Sequence, residues 1–478
     1  MSNGANQGPD YRITGVAQFD ANPLIAHLPS PPDGRTDSFK TLSVTPTFNP
    51  LHREHPKGIR KILIGDLRKF YVPSLKAHHE AHSGIISQVW DGYLNRNPCT
   101  PEGQARLHGL DVKSTWRPTI ALISGCSGMG KSTLISRIMS CLGPQLVAHR
   151  EFSGQPFAEK QILYMRRNIP ELCTVKSLCS AFGSHADEIL GSRLFHGVFE
   201  KLRGGTREQY VHEIRKIMLN YHVGILVLDE FQNLSLVGLG AEKVIAFLTL
   251  LRDELGIPIL LCGTYKSLEL LRSNMAVARR LVEGGYYDLA RPGRFEDPAW
   301  LMLCKTAWAL QWVKEPQDFT EEICAELYGV SQGVTAIMLE TFRRAQITAI
   351  TEDYETVDAA LIRRVFDEQM TPLHPAIAAL RSNNPEIMAK FDDIYQRVES
   401  LQTRIPDDIA PARALIEQLK SPEPLLTPEG ALLSAINSEQ TGSTQKSIAK
   451  RGANVRRSRA VSAEEAKEDV LASKGSPF

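Results

Sequence analysis

The run PTIALISGCSGMGKSTLISRIMSCL, residues 118–142, admits few folds. Its uninterrupted apolar start predicts a buried strand, and its end has the period of a helix. Between them, Gly125, Gly128 and Gly130 predict a tight loop whose backbone N–H groups surround phosphate oxygens. The helix that follows aims its positive dipole end at the same place. Strand, loop and helix together are the context that separates a phosphate loop from a chance match. Gly125, Cys126, Ser127, Gly128, Met129, Gly130, Lys131, Ser132 and Thr133 are therefore the candidate nucleotide-binding residues. Lys131 is expected to reach the β- and γ-phosphates, and Ser132 to ligate Mg²⁺.

A second motif, GILVLDE, carries apolar residues straight into Asp229 and Glu230. A buried parallel strand delivers such carboxylates to its C-terminal edge, where open α/β sheets bind ligands. Asp229 is then expected in the Mg²⁺ shell, and Glu230 as the general base that orients the attacking water. An acidic cap on the next helix is the simpler alternative. IPILLCGT reads as another buried strand, ending at Thr264, which either touches the γ-phosphate or the water, or caps a helix. Further on, Arg279 and Arg280 form either a solvated basic face or a finger offered in trans to a neighbouring subunit's nucleotide.

PTIALIS, QILYM, GILVLDE, IPILLCGT and YYDLA alternate with helix-period stretches such as EKVIAFLTLLRDEL. That alternation predicts an α/β domain, a parallel sheet flanked by helices, over residues 109–295. DPAWLMLCKTAWALQWV, TEEICAELYGV, TAIMLETFRRAQITAI and DAALIRRVFDEQM then predict a small α-helical bundle over 296–375. Residues 1–108 form an N-terminal region, with a Pro- and Gly-rich extended arm to about residue 55. Within it IRKILIG reads as strand or helix, and SGIISQVWDGYLNRNP as a helix ended by Asn97-Pro98. A helical extension is expected over 376–420, and a disordered basic tail over 421–478.

Other clusters carry less. His78 and His82 in KAHHEAH have a metal pair's spacing, but no cysteine pair supports a site, so hydrogen-bonded or exposed histidines are expected. The stretch HREHPKGIRKILIGDLRKFY, with Arg53, Lys57, Arg60, Lys61, Arg68 and Lys69, reads equally as a phosphate-contacting surface or a solvated face. Net charge is +1, which neither requires nor excludes nucleic acid. Eight scattered cysteines without a C-x-x-C pair read as reduced thiols. With no signal peptide in MSNGANQGPDYRITG and no apolar run long enough to span a bilayer, a cytoplasmic protein without membrane contact is expected.

The order of motifs resembles that of AAA+ P-loop ATPases, with a helical lid after the sheet and Thr264 near the first sensor position. FDANPLIAHLPSPP, GYLNRNP, LDEFQNLS, SQGVTAIMLETFRRAQ and LHPAIAALRSNNPEIMAKFDDI resemble the TnsC family, ATP-dependent regulators of Tns-type DNA transposition. The resemblance spans roughly residues 15–395. It implies an ATP- and Mg²⁺-dependent ATPase that assembles on double-stranded DNA as a homo-oligomer, a ring or short filament. It also implies a link between a target-selection protein and transposase subunits. The family roles carry onto Lys131, Ser132, Asp229 and Glu230, and more loosely onto Thr264. The lid departs from the wider AAA+ pattern: SQGVTAIMLET has no arginine at the usual second sensor, and Arg343 and Arg344 come later. The alternative is a helicase-loader-like or signalling ATPase that acts on a protein partner.

Overall fold

In the computed structural model five short strands pair into one parallel sheet. The strands are β1 (Ile120–Ser124), β2 (Tyr164–Asn168), β3 (Ile225–Asp229), β4 (Ile259–Gly263) and β5 (Tyr286–Asp288), in the order β2-β3-β4-β1-β5. The structure describes residues 8–108, 117–171, 173–202, 204–237, 240–268, 275–388 and 391, all within a compact unit spanning residues 1–400. Every residue of β1, β3 and β4 is buried, which is why these strands read as continuous apolar runs and not as alternating ones. The register sets Ser124 beside Gly263, and Asn168 beside Asp229. Parallel pairing thus brings the loop after β1, the carboxylates after β3 and Thr264 after β4 to one edge.

QILYM, expected as one strand, is two. Lys160–Ile162 pairs antiparallel with Leu146–Ala148, and the chain then turns at Leu163 into β2. Leu163 marks the change of partner: its N–H donates to the Gln145 carbonyl (2.9 Å) and its carbonyl accepts from Ile225 (3.2 Å).

The N-terminal region is not an extended arm. Ala17–Asp20, Pro23–Ala26 and α1 (Arg35–Leu42) are helical, and Leu24, Ile25, Leu28 and Leu42 lie in the same apolar core as the sheet. Asn22 organises this turn: its Oδ1 caps Leu24 N (3.1 Å) and its Nδ2 donates to the Tyr93 carbonyl (2.9 Å). IRKILIG lies in the helix α2 (Lys57–Ile64), and α3 (Lys76–Leu94) begins about two turns before the expected start at Ser83. It takes in KAHHEAH, so His78, His79 and His82 are buried and not exposed. His82 Nδ1 meets Ser38 Oγ at 2.9 Å, and burial lowers its pKa to about 4. Among the described residues no group of three or more His, Cys, Asp or Glu gathers to hold a metal. None of the eight cysteines is in a disulfide.

Of the basic residues named in the stretch 52–71, Arg60 alone is buried, Arg53, Lys57 and Lys61 are half-buried, and Arg68 and Lys69 are exposed. Arg60 is 1 % exposed, forks onto Glu355 with two 2.6 Å bonds, and donates to the Trp312 carbonyl. Lys57 pairs with Asp353, Lys69 with Asp66, and Arg53 donates to the Gln311 carbonyl. Only partly, then, is this an open cationic face.

The phosphate-loop helix is α4 (Lys131–Leu142); α5 (Val175–Leu190), α6 (Arg207–Asn220) and α7 (Gly240–Leu255) complete the α/β layer. The lid holds α8 (Pro298–Trp308), α9 (Glu321–Ser331), α10 (Thr335–Thr351) and α11 (Ala359–Gln369) around a second core with Trp300, Trp312 and Phe342. Ile64, Leu67, Phe70 and Val72 join this second core, so the N-terminal region contributes to both. Of the expected C-terminal extension, His374–Ser382 and Pro385–Met388 are helical. Residues 392–478, with the basic tail, lie outside the described residues.

Candidate functional site

The loop after β1 is shaped by what its glycines must avoid. A Cβ on Gly125 would stand 2.8 Å from the Leu289 carbonyl oxygen. Gly128 and Gly130 have φ of 81° and 82°, left-handed backbone that glycine adopts at little cost. Cys126 and Met129 are buried and anchor the loop, whereas Ser127, Ser132 and Thr133 are exposed at its mouth. Lys131 Nζ is held at the loop by the carbonyls of Gly125 (2.9 Å) and Cys126 (2.8 Å).

Asp229, at the end of β3, meets this loop directly. Its Oδ2 accepts from Ser132 Oγ (2.8 Å) and from an Arg166 Nη (2.8 Å), and its Oδ1 accepts from Glu230 N (3.0 Å). Burial pushes its pKa up, but hydrogen bonds from Arg166, Cys262 and Ser132 outweigh it and hold the carboxyl below its ordinary value. Cys262, on β4, is raised by burial and by the Asp229 charge, so it stays a thiol. Glu230 is exposed and has φ of 58°. A non-glycine residue in that region costs on the order of 1–3 kcal/mol, and such strain gathers at functional sites.

The loop from Ser127 onward, Asp229 and Glu230 line a cavity of about 620 Å³, a size suited to a nucleotide. One wall holds residues 127–133, Asp229, Glu230 and Thr264; the opposite wall is the lid, with Thr335, Ala336, Leu339, Glu340 and Arg343. The lid seats on the loop itself: Ala336 N donates to the Gly128 carbonyl (3.0 Å). A Cβ on Gly128 would meet Val334 Cγ1 at 2.8 Å. Arg343 reaches the cavity from the lid and forks onto Glu340 (2.7 and 2.6 Å). Arg344 pairs with the same carboxylate.

The sequence-predicted residues of the loop, β3 and β4 thus converge. Arg279 and Arg280 do not: both are exposed on the helix Met275–Leu281 and neither lines this cavity. Three contributions were not foreseen. Tyr71, Val72, Leu75 and His78 form a third wall, Arg166 bridges Asp229 and Ser136, and Gln232 binds Glu230. LDEFQNLS contains Gln232, but nothing in its spacing marks that role; the third wall has no motif at all.

Residues 116–271 match the family model described as "AAA domain". The chain carries an AAA domain. Its fold is that of an AAA+ P-loop domain, with a parallel five-stranded sheet flanked by helices, followed by a helical region. Domains of this family are typically ATPases that bind nucleotide with Mg²⁺. No curated protein sequence matches the chain significantly. Among solved structures, the Aeropyrum pernix ORC1 protein in complex with DNA is similar at 17% identity and a TM-score of 0.39, covering 66% of this chain and 71% of that one. The Drosophila ORC bound to DNA is similar at 12% identity and a TM-score of 0.41, over 84% and 87% of the two chains. A Thermotoga maritima RuvB variant is similar at 15% identity and a TM-score of 0.32, over 55% and 64%.

The residues present fit Mg²⁺. The ion favours hard oxygen ligands, and keeps waters while sharing one or two carboxylates with phosphates. The AAA domain offers an ionised Asp229 and the Ser132 hydroxyl in mutual contact. Among the described residues no helix is long and apolar enough to cross a membrane.

Proposed function

We propose that this protein is an ATP-dependent regulator of DNA transposition, which assembles on double-stranded target DNA and couples target selection to a transposase. The observation that carries the switch is the seat of the lid on the phosphate loop, Ala336 N to the Gly128 carbonyl. That contact belongs to SQGVTAIMLETFRRAQ, one of the stretches that resemble TnsC. A nucleotide in the cavity therefore touches loop and lid together, and its gain is a higher affinity for one arrangement of the two.

Lys131 and the loop backbone would hold the phosphates, and Ser132 and Asp229 would hold Mg²⁺, which would supply charge neutralisation at the terminal phosphate when bound. Glu230 takes the proton of the attacking water. Thr264 senses the terminal phosphate from β4, and Arg343 brings a cation from the lid. Exposed Arg279 and Arg280 serve a neighbouring subunit's site, so hydrolysis is completed in the assembly. Hydrolysis then resets it.

Duplex-DNA binding, titrated with salt, tests this reading. Wild type should bind only with ATP, and affinity should fall steeply with salt as counterions are released. Lys131→Ala should lose ATP-dependent binding. Equal binding by Lys131→Ala and wild type overturns the proposal, and so does ATP-dependent association that salt leaves unchanged.

A further inference from the structure

Gln232 lies two residues past Glu230, and its amide binds at both ends. Its Nε2 donates to Glu230 Oε2, and its Oε1 accepts from Thr264 N at 3.0 Å. Gly263 permits this approach, since a Cβ there would stand 2.8 Å from Gln232 Oε1. The turn is fixed from its other side by Asn233: its N–H donates to the Glu230 carbonyl (2.9 Å), and its Nδ2 to the Ile169 carbonyl beyond β2 (2.7 Å).

An exposed glutamate has three rotors, and a base must hold its oxygen near the proton it takes. The bond to Gln232 removes most of that freedom at Oε2 and leaves Oε1 for the water. The same side chain fixes the backbone of Thr264, at the tip of β4.

We propose that Gln232 is a positioning residue for Glu230. It holds the carboxylate in one orientation and links it to the Thr264 tip, so that contact with the terminal phosphate and activation of water are set by one side chain. This rests on the hydrolysis reading above.

The test is Mg–ATP turnover and equilibrium ATP binding on the full chain. The variants are Gln232→Ala, Gln232→Glu, Glu230→Gln and the double Glu230→Gln/Gln232→Ala. Gln232→Glu keeps an acceptor for Thr264 N but loses the donor to Glu230, so it separates the bond from the fold of the turn. Both Gln232 variants should lower kcat at least about tenfold, a part of the roughly 10²–10⁴-fold that general-base catalysis contributes. ATP affinity should stay within about twofold, since the bond acts on the chemical step and not on binding. The double variant should be no slower than Glu230→Gln, as residues acting as a unit do not add.

Retained kcat in both Gln232 variants overturns the proposal. So does a further loss in the double variant, or a fall in kcat matched by weaker ATP binding. A wild type that does not hydrolyse ATP, or that Glu230→Gln leaves unaffected, strikes the hydrolysis reading instead.

Discussion

Glu340 shows how one lid carboxylate orders two arginines. The Arg343 guanidinium, forked onto it, holds its pKa down to about 2 against burial, with help from Arg344. Because the folded pKa lies below the ordinary 4.5, this pairing stabilises the fold fully above pH 4.5, and the contribution fades as pH falls toward 2. Glu340→Gln should therefore lower Tm near neutral pH, and the gap to wild type should close on acidification. Thermal melts across that range check it; a gap that widens in acid would place the pairing elsewhere. The same substitution frees Arg343 from its fork and should weaken ATP binding if that arginine needs Glu340 to face the cavity. Arg166 is a comparable device beside Asp229, a positive charge already at the place where the metal is expected.

Among the elements, the N-terminal helices give the sharpest contrast between composition and structure. A loose arm would tolerate change at Leu24. Leu24 is instead fully buried against the sheet core, so Leu24→Ala should cost about 2–5 kcal/mol in denaturant unfolding. A cost under about 0.5 kcal/mol, typical of surface positions, would contradict that packing. Frequent proline, glycine, serine and aspartate make this segment read as a loose arm, while the short run NPLIAHL supplies core residues from turns too brief to show a period. QILYM was misread for a related reason: an apolar run records burial but not which strand it pairs with. The loop at Gly125–Ser132 and the pair Asp229-Glu230 were legible because each is local, a few residues after a strand. Tyr71 and His78 were not, since only the tertiary fold brings them to the cavity, and Arg166 meets Asp229 only through strand pairing; Gln232 is local, but nothing in its spacing marks its role. Arg60 read as surface charge, yet its partner Glu355 is nearly three hundred residues away.

In the whole molecule, two cores share the N-terminal region: Leu24 and Leu42 sit under the sheet, Leu67 and Phe70 within the lid. The cavity is lined by residues of the sheet edge, the lid and the N-terminal segment, so a nucleotide bound there would touch all three at once. Arg279 and Arg280 are exposed and do not line this chain's own cavity; their service to a neighbouring subunit's site is part of the proposal. The decisive measurement follows the mass of complexes on duplex DNA over time after a limited dose of Mg–ATP. The account predicts large complexes that form with ATP and dissolve as it is consumed, none with Lys131→Ala, and complexes that persist with Glu230→Gln. Complexes of equal size and lifetime in all three proteins, or in the absence of ATP, would contradict it.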